Sequence, residues 1–465
     1  MTLPSASRTG AGATAALARF AAELRFEDLP ATVVEHMRLL ILDGLACGLY
    51  GSTLPSSAKL RGALVAEGKG LAECTIWGRH ERLPLRDAVM ANAYAIDSFE
   101  SDDLHRDALI HASPVVLAPA LALSERLGAR TGRELVAALA AGCEVGSRIG
   151  MAAGYAMIKR GFHAAAVTGP FLSAATTSRL LRLDAATTRH ALGIAGSFGA
   201  GLIAAQRGAM VKSLHLAKAA ETGVHAGLLA QTGFTGTPDV LEAPYGGYVA
   251  AFGQNDASPL STDDLGHRWA LLQIGFKKHM CGASTHSGID AVLSIRDQLA
   301  GATPDRIDAY VSGVTLEHAG WRYDPAEGPG AARLDLPWCI AAAVVRGRVT
   351  VDEFTPEALN DPALVAIADR VIVHHDPEID RLGRPARHQT RVRIETGGRI
   401  LEAEVVTGLG SQDHPLGRAD VLEKLRFLAE RSIGDTAASS IADIVGSIEE
   451  IDDVSVLADR SRASA

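Results

Sequence analysis

The densest group of ionisable side chains in the 465-residue chain is Asp97, Glu100, Asp102, Asp103, His105, Arg106 and Asp107, followed by His111 in His111–Ala112–Ser113–Pro114. It separates two apolar helical stretches, so its charges occupy a connection. Carboxylates beside imidazoles are the equipment of general acid–base catalysis, because imidazole changes its charge near neutral pH. A solvated charged loop has the same composition. As a metal site the group is weak, since it has neither Cys nor a rigid H-x-x-x-H pattern, and no metal ligand is assigned.

Three further places offer chemistry. Gly161–Phe162–His163 puts a histidine at the head of a small-residue helix that begins Ala164–Ala165–Ala166; helix capping is the plainer reading. Lys212 and His215 are three residues apart and share a helix face, as catalytic groups or as a surface pair. Phe276–Lys277–Lys278–His279–Met280–Cys281–Gly282–Ala283–Ser284–Thr285–His286 combines cations and histidines, and reads equally as a basic linker. Gly196–Ser197–Phe198–Gly199–Ala200–Gly201 matches neither G-x-G-x-x-G nor a G-K-[ST] ending, and no G-x-S-x-G elbow is present.

The elements that must position these residues are mostly helical. Apolar residues recur at helical spacing from Ala13 to about Tyr50 and over Leu85 to Ile96, Val115 to Leu127, Arg133 to Met151, Phe171 to Leu180, Ala185 to Ile194, Val211 to Thr232 and Thr237 to Leu241. No strand is expected before about residue 270. Beyond Trp269, Tyr310 to Leu316, Val371 to His375 and Thr390 to Glu395 read as strands, and Gly397–Gly398 turns the last into a hairpin with Ile400 to Val406. Ala419 to Leu428 and Ile441 to Ile451 return to helical periodicity. The expected fold is mainly α with a smaller α+β domain: an all-helical domain over 1–270, completed by 412–465, and an inserted α+β lid over 271–411. A cleft between them is where a ligand would bind.

Forty-five basic against 54 acidic residues give a net charge of −9, which argues against a nucleic-acid partner. The five cysteines are odd in number, scattered, and form no C-x-x-C pair, so no disulfide framework, zinc site or iron–sulfur site is signalled. Met1 to Gly12 is polar and lacks a signal-peptide apolar segment, and no run reaches the ~18 apolar residues of a membrane span. A cytoplasmic protein without a membrane partner is expected.

Taken in order, Leu42–Asp43–Gly44–Leu45–Ala46–Cys47–Gly48, Asp102–Asp103–Leu104–His105, Ile110–His111–Ala112–Ser113–Pro114, Gly161–Phe162–His163 and Lys212–Ser213–Leu214–His215 resemble the MmgE/PrpD family. The resemblance continues through Gly233–Phe234–Thr235–Gly236, Phe276–Lys277 to Thr285–His286, Leu336–Pro337–Trp338 and Pro415 to Val421. The family includes 2-methylcitrate dehydratases, cis-aconitate decarboxylases and iminodisuccinate epimerase. The resemblance implies a helical domain with an α+β lid, a homodimer, and chemistry without metal, flavin, nicotinamide or iron–sulfur cofactor. It carries catalytic roles to His111, His163, Lys212 and His286, and substrate binding to Asp102, Asp103, His105, His215 and Lys277. The chain departs from the family pattern at Asp97 (usually His), Glu100 (Asp), Leu104 (Thr) and Met280–Cys281–Gly282 (Pro-Cys-Cys).

The implied reaction starts by removing a proton next to a carboxylate of a small di- or tricarboxylic acid. Lys212 and Lys277 would stabilise the resulting aci-carboxylate, and His111 and His163 would act as acid and base. A 2-methylcitrate dehydratase-like lyase is the leading expectation, with iminodisuccinate epimerase-like and cis-aconitate decarboxylase-like reactions as alternatives. Because the net charge repels an anionic substrate, Lys212, Lys277, Lys278 and the histidines are expected to make the cleft locally positive.

Overall fold

Helices Ala164–Leu180 and Val211–Gln231 cross where neither has bulk: a Cβ on Gly223 would lie 2.2 Å from that of Ser173, and one on Gly227 2.5 Å from Thr177 Cγ2. The abundance of Ala and Gly is thus spent on close backbone approach, with ridges of small side chains packed into one another. This computed structural model describes residues 12–68, 70–253 and 260–463. Nearly all of the Met1 to Gly12 segment, read above as lacking a signal peptide, lies outside the described residues.

The architecture is mainly α with a smaller α+β lobe. One hydrophobic core runs from Leu17 to Met280 and is joined by residues from Leu416 to Leu457; a second runs from Cys281 to Ile394. Helices Arg418–Ala429 and Asp435–Gly446 carry the chain back to the first core. In the second lobe, four strands are ordered Val371–His375, Arg306–Val311, Thr390–Thr396 and Arg399–Val405; the first pair is parallel and the rest antiparallel. Thr390–Thr396 alternates buried and half-buried residues, the signature of a sheet covered on one face. Gly132–Ala153 is the one described helix long and apolar enough to cross a membrane, and 94% of its apolar window is packed inside the first lobe.

Several elements differ from the sequence reading. Three two-residue strands precede residue 270: Cys74–Thr75 pairs with Arg82–Leu83, and Leu104–His105 with Ile274–Gly275. They are too short to show alternation. Helix Pro55–Glu67 was not expected; it buries only Ser57 and Leu64, so it lacks an apolar stripe. The strand expected over Tyr310 to Leu316 ends at Val311, because the Ser312 hydroxyl accepts from Thr315 N (3.1 Å) and starts helix Gly313–Ala319. Thr237 to Leu241 is a turn, with Gly236 and Thr237 pressed against the backbone of Gly193.

Candidate active site

The connection between helices Leu85–Asp97 and Ala112–Leu127 is folded around buried charge. Asp103 accepts hydrogen bonds from Ala112 N (2.6 Å) and Ser113 N (2.8 Å), capping the second helix. This places His111 at the helix N-cap. His111 Nδ1 lies 2.7 Å from Asp103 O and 3.1 Å from Asp102 Oδ2. With two acceptors at Nδ1, that nitrogen carries the proton and Nε2 is the site that titrates. Burial pulls the His111 pKa down, but the Asp102 carboxylate outweighs it and holds the pKa above its usual value. Asp102 is itself buried, yet His111 and Lys277 keep its carboxyl well below the carboxylate range.

Lys212 stands in the first turn of helix Val211–Gln231, with Nζ 3.1 Å from both Asp97 oxygens and 2.5 Å from Glu100 Oε1. Against burial, these two carboxylates raise its pKa, so it remains an ammonium. Lys277 follows strand Ile274–Gly275 and donates to Glu100 O (3.0 Å) and Asp102 Oδ1 (3.4 Å). Glu100 has φ 61°, the left-handed region that non-glycine residues rarely adopt; the Lys277 hydrogen bond helps hold it there.

His163 caps helix Ala164–Leu180, its Nδ1 3.1 Å from Nδ1 of His215. Burial, reinforced by Lys212 and His111, pushes its pKa well below 6.5, so it is neutral at physiological pH. The two imidazoles are therefore pushed apart in pKa, His111 upward and His163 downward, as an acid–base pair requires.

His111, His163, Lys212, Lys277 and Glu100 all line one cavity of about 110 Å³. The second lobe adds Ser284, His318, Arg387 and His388, and the apolar wall includes Leu104, Leu109, Ile158 and Leu202. Arg387 packs over the Tyr155 ring at 5.2 Å and donates to Arg106 O (3.1 Å). No carboxylate lies within 4.0 Å of its guanidinium among the described residues, which makes it the free cation of the cavity.

Residues 15–260 match the MmgE/PrpD N-terminal domain and residues 279–450 the MmgE/PrpD C-terminal domain. The chain belongs to the MmgE/PrpD family. It is similar along nearly its whole length to relatives named as cis-aconitate decarboxylases or decarboxylase-like. A cis-aconitate decarboxylase-like protein of Aspergillus oryzae is 32% identical, with 96% of each chain covered. The cis-aconitate decarboxylase of Aspergillus terreus is 30% identical over 97% of this chain and 96% of its own. The human cis-aconitate decarboxylase is 28% identical over 93% and 91%.

Within this MmgE/PrpD enzyme several expected roles are redrawn. His286 does not line the main cavity; it faces an adjoining one of about 30 Å³, its Nε2 3.3 Å from Cys281 O and its ring against His279. His105 is fully buried, with Nδ1 accepting from Ala108 N (3.2 Å) and its pKa lowered by burial to about 4; it packs the short strand pair and is not among the residues lining either cavity. Asp103 is spent on the helix cap. Asp102 is wholly buried and acts on His111 and Lys277. His215 lies behind His163, on a separate outer groove. Lys278 points away, toward Asp420 (3.5 Å) and Glu423 (3.6 Å). Asp97, Asp102 and His111 offer three donor atoms within 4.8 Å of one another, but Lys212 and Lys277 already occupy the carboxylates.

The positive charge expected of the cleft comes from Arg387 and not from the lysines. Two ammonium groups meet the carboxylates of Asp97, Glu100 and Asp102, so the cluster balances only when His111 is protonated. Arg387 and His388, missed by the sequence reading, stand just ahead of strand Thr390–Thr396, where the only local signal is a basic turn at Arg384–Ala386. Lys424, also missed, braces the site from below: its Nζ lies 2.7 Å from Asp43 Oδ1, 2.5 Å from Ser101 O and 3.2 Å from Lys277 O.

Proposed function

We propose that the protein is a cofactor-independent lyase that removes carbon dioxide from a small unsaturated polycarboxylic acid of the cis-aconitate class. The observation that carries this reading is one small cavity that sets His111, whose pKa the Asp102 carboxylate raises, beside a free guanidinium and an apolar wall. Arg387 takes one substrate carboxylate in a bidentate grip, and Lys212 and Lys277 face a second. The bond from carbon to the departing carboxylate breaks and its electron pair forms a new C=C. The electrons of the original C=C then take a proton at their far carbon from His111, while the neutral His163 imidazole donates a hydrogen bond to a carboxylate that stays on the product. Each carbon dioxide released thus consumes one proton. A carboxylate loses its charge as it becomes carbon dioxide, so the apolar wall of Leu104, Leu109 and Leu202 favours that step over one that leaves a charged fragment. The curated relatives named above, with decarboxylase names, support the same choice.

A 2-methylcitrate dehydratase-like reaction would use His163 as base and His111 to protonate a departing hydroxyl, and an iminodisuccinate epimerase-like reaction would use the pair on opposite faces of one carbon. Leu104, which offers no hydrogen bond to a hydroxyl, weighs against dehydration. Incubation with cis-aconitate, 2-methylcitrate and iminodisuccinate in deuterium oxide separates the three. The expected result is carbon dioxide release from cis-aconitate with one deuterium added at carbon. Water loss or exchange with inversion instead would replace this reading, and inertness toward all three acids would refute it.

The same reading includes a homodimer in the cytoplasm. Phe198 and Val211, 64% and 45% exposed, border the outer groove and suit a second copy, and the five cysteines are buried free thiols. A monomer by light scattering at micromolar concentration would remove the dimer.

A further inference from the structure

Beyond Lys212 the cavity wall is shared with a second, larger compartment. Glu100, Gln206 and Lys212 line both, and the second encloses about 500 Å³ between the two lobes. Its far side carries Arg333, which follows helix Pro329–Ala332 and is anchored through its carbonyl by Gly282 N (2.8 Å).

Arg333 is 6% exposed, and its Nε is buried without a hydrogen-bond partner. Among the described residues its guanidinium makes no hydrogen bond to protein and has no carboxylate within 4.0 Å. The Phe354 ring covers one face at 5.5 Å, which leaves the edge donors unanswered. Burial lowers the Arg333 pKa, with Tyr50, Glu100 and Cys281 opposing, but arginine does not shed its proton in proteins. A buried, unpaired charge is destabilising unless something supplies the counter-charge, and a planar fork of N–H donors fits a planar two-oxygen acceptor.

We propose that this second compartment is a carboxylate-binding site headed by Arg333, for a small di- or tricarboxylate. Glu100 and Glu327 balance Lys212 and Arg333 in its lining, so net charge does not choose between anions; the planar fork of Arg333 does, matching a planar carboxylate better than a tetrahedral phosphate. The carboxylate has two possible sources: the substrate itself, docking before it passes Lys212, or a separate organic acid bound while the catalytic cavity works. The site itself does not depend on the decarboxylase reading.

The test uses the full-length protein, with succinate and inorganic phosphate as probes in calorimetric titration and thermal denaturation. Arg333→Gln is expected to weaken succinate binding at this site at least ~10-fold, the scale of a lost charged hydrogen-bonding partner. It is also expected to leave the ligand-free melting temperature equal or higher, since it removes an unpaired buried charge; an arginine with a purely structural role would lower it. Arg333→Met, of similar length and suited to Phe354, should behave alike. If the substrate is the source, Arg333→Gln raises KM with kcat nearly unchanged. If a separate acid is the source, KM without succinate is unchanged and only the effect of added succinate on the rate disappears. Succinate affinity within twofold of wild type in both variants, failure of both to fold, or displacement of succinate by phosphate would each overturn the assignment. A protein inert toward every acid whose Arg333→Gln variant still loses succinate keeps this site and removes the proposed reaction; an active protein with unaltered succinate binding does the reverse.

Discussion

Replacing Asp102 by asparagine keeps the side chain's volume and removes the charge that holds His111 as an imidazolium. The carboxylate oxygen is 3.1 Å from His111 Nδ1, so the attraction between the two charges is about 5 kcal/mol at an effective dielectric near 20. Relaxation of the neighbouring charges, with Lys277 released from Asp102 (3.4 Å) to pair with Glu100 alone, returns part of this. A net loss of about 2.7 kcal/mol corresponds to a ~10²-fold smaller fraction of acid-form His111 at any pH above both ionisations. In the wild type the raised His111 pKa keeps the acid form present above pH 6.5, and activity falls as pH rises through that pKa. In Asp102→Asn, burial, Lys277 and Lys212 all oppose protonation, so the fall moves to lower pH. The expected pH–rate profile has its alkaline limb displaced about two pH units to lower pH, so turnover is reduced ~10²-fold above the wild-type His111 ionisation and largely recovered on acidification. An unmoved alkaline limb, or a loss of rate equal at all pH values, would refute the assignment of His111 as the acid poised by Asp102.

Lys212→Ala and His163→Ala should each lower turnover at least ~10²-fold in steady-state assays; the lysine change should also lower the melting temperature, because it leaves Asp97 buried without its cation and Glu100 with only Lys277, 3.8 Å away. Near-wild-type rates in both folded variants would dismiss these roles. Arg387→Gln should raise KM ~10-fold or more with a smaller change in kcat, as expected when a carboxylate anchor is lost. Lys424→Met should destabilise the protein by roughly 3–5 kcal/mol in denaturant titrations, because it leaves Asp43 buried and unpaired. Adding Asp43→Asn should restore part of that loss.

The helical lobe and the late hairpin were legible in local periodicity and turn chemistry, whereas the gathering of His111, His163, Lys212 and Lys277 around one cavity was implied by the family resemblance and by no local pattern. The division of labour among the buried carboxylates was not. Asp102 and Asp103 are adjacent and chemically identical, yet one faces His111 and Lys277 and the other caps a helix. His286 shares its segment with Lys277 but turns toward Cys281 and His279. Arg387, Arg333 and Lys424 stand in ordinary basic surroundings and become functional candidates only through what surrounds them.

Residue type and spacing along the chain determined which groups are available, because helical periodicity and capping are governed by neighbours a few positions apart. Tertiary structure alone decided which lysines are neutralised, which guanidiniums are left free and which histidine holds a proton. Those properties depend on burial and on charges within a few ångströms, and such neighbours come from positions far apart: Lys424 and Asp43 are separated by 381 residues and lie 2.7 Å apart.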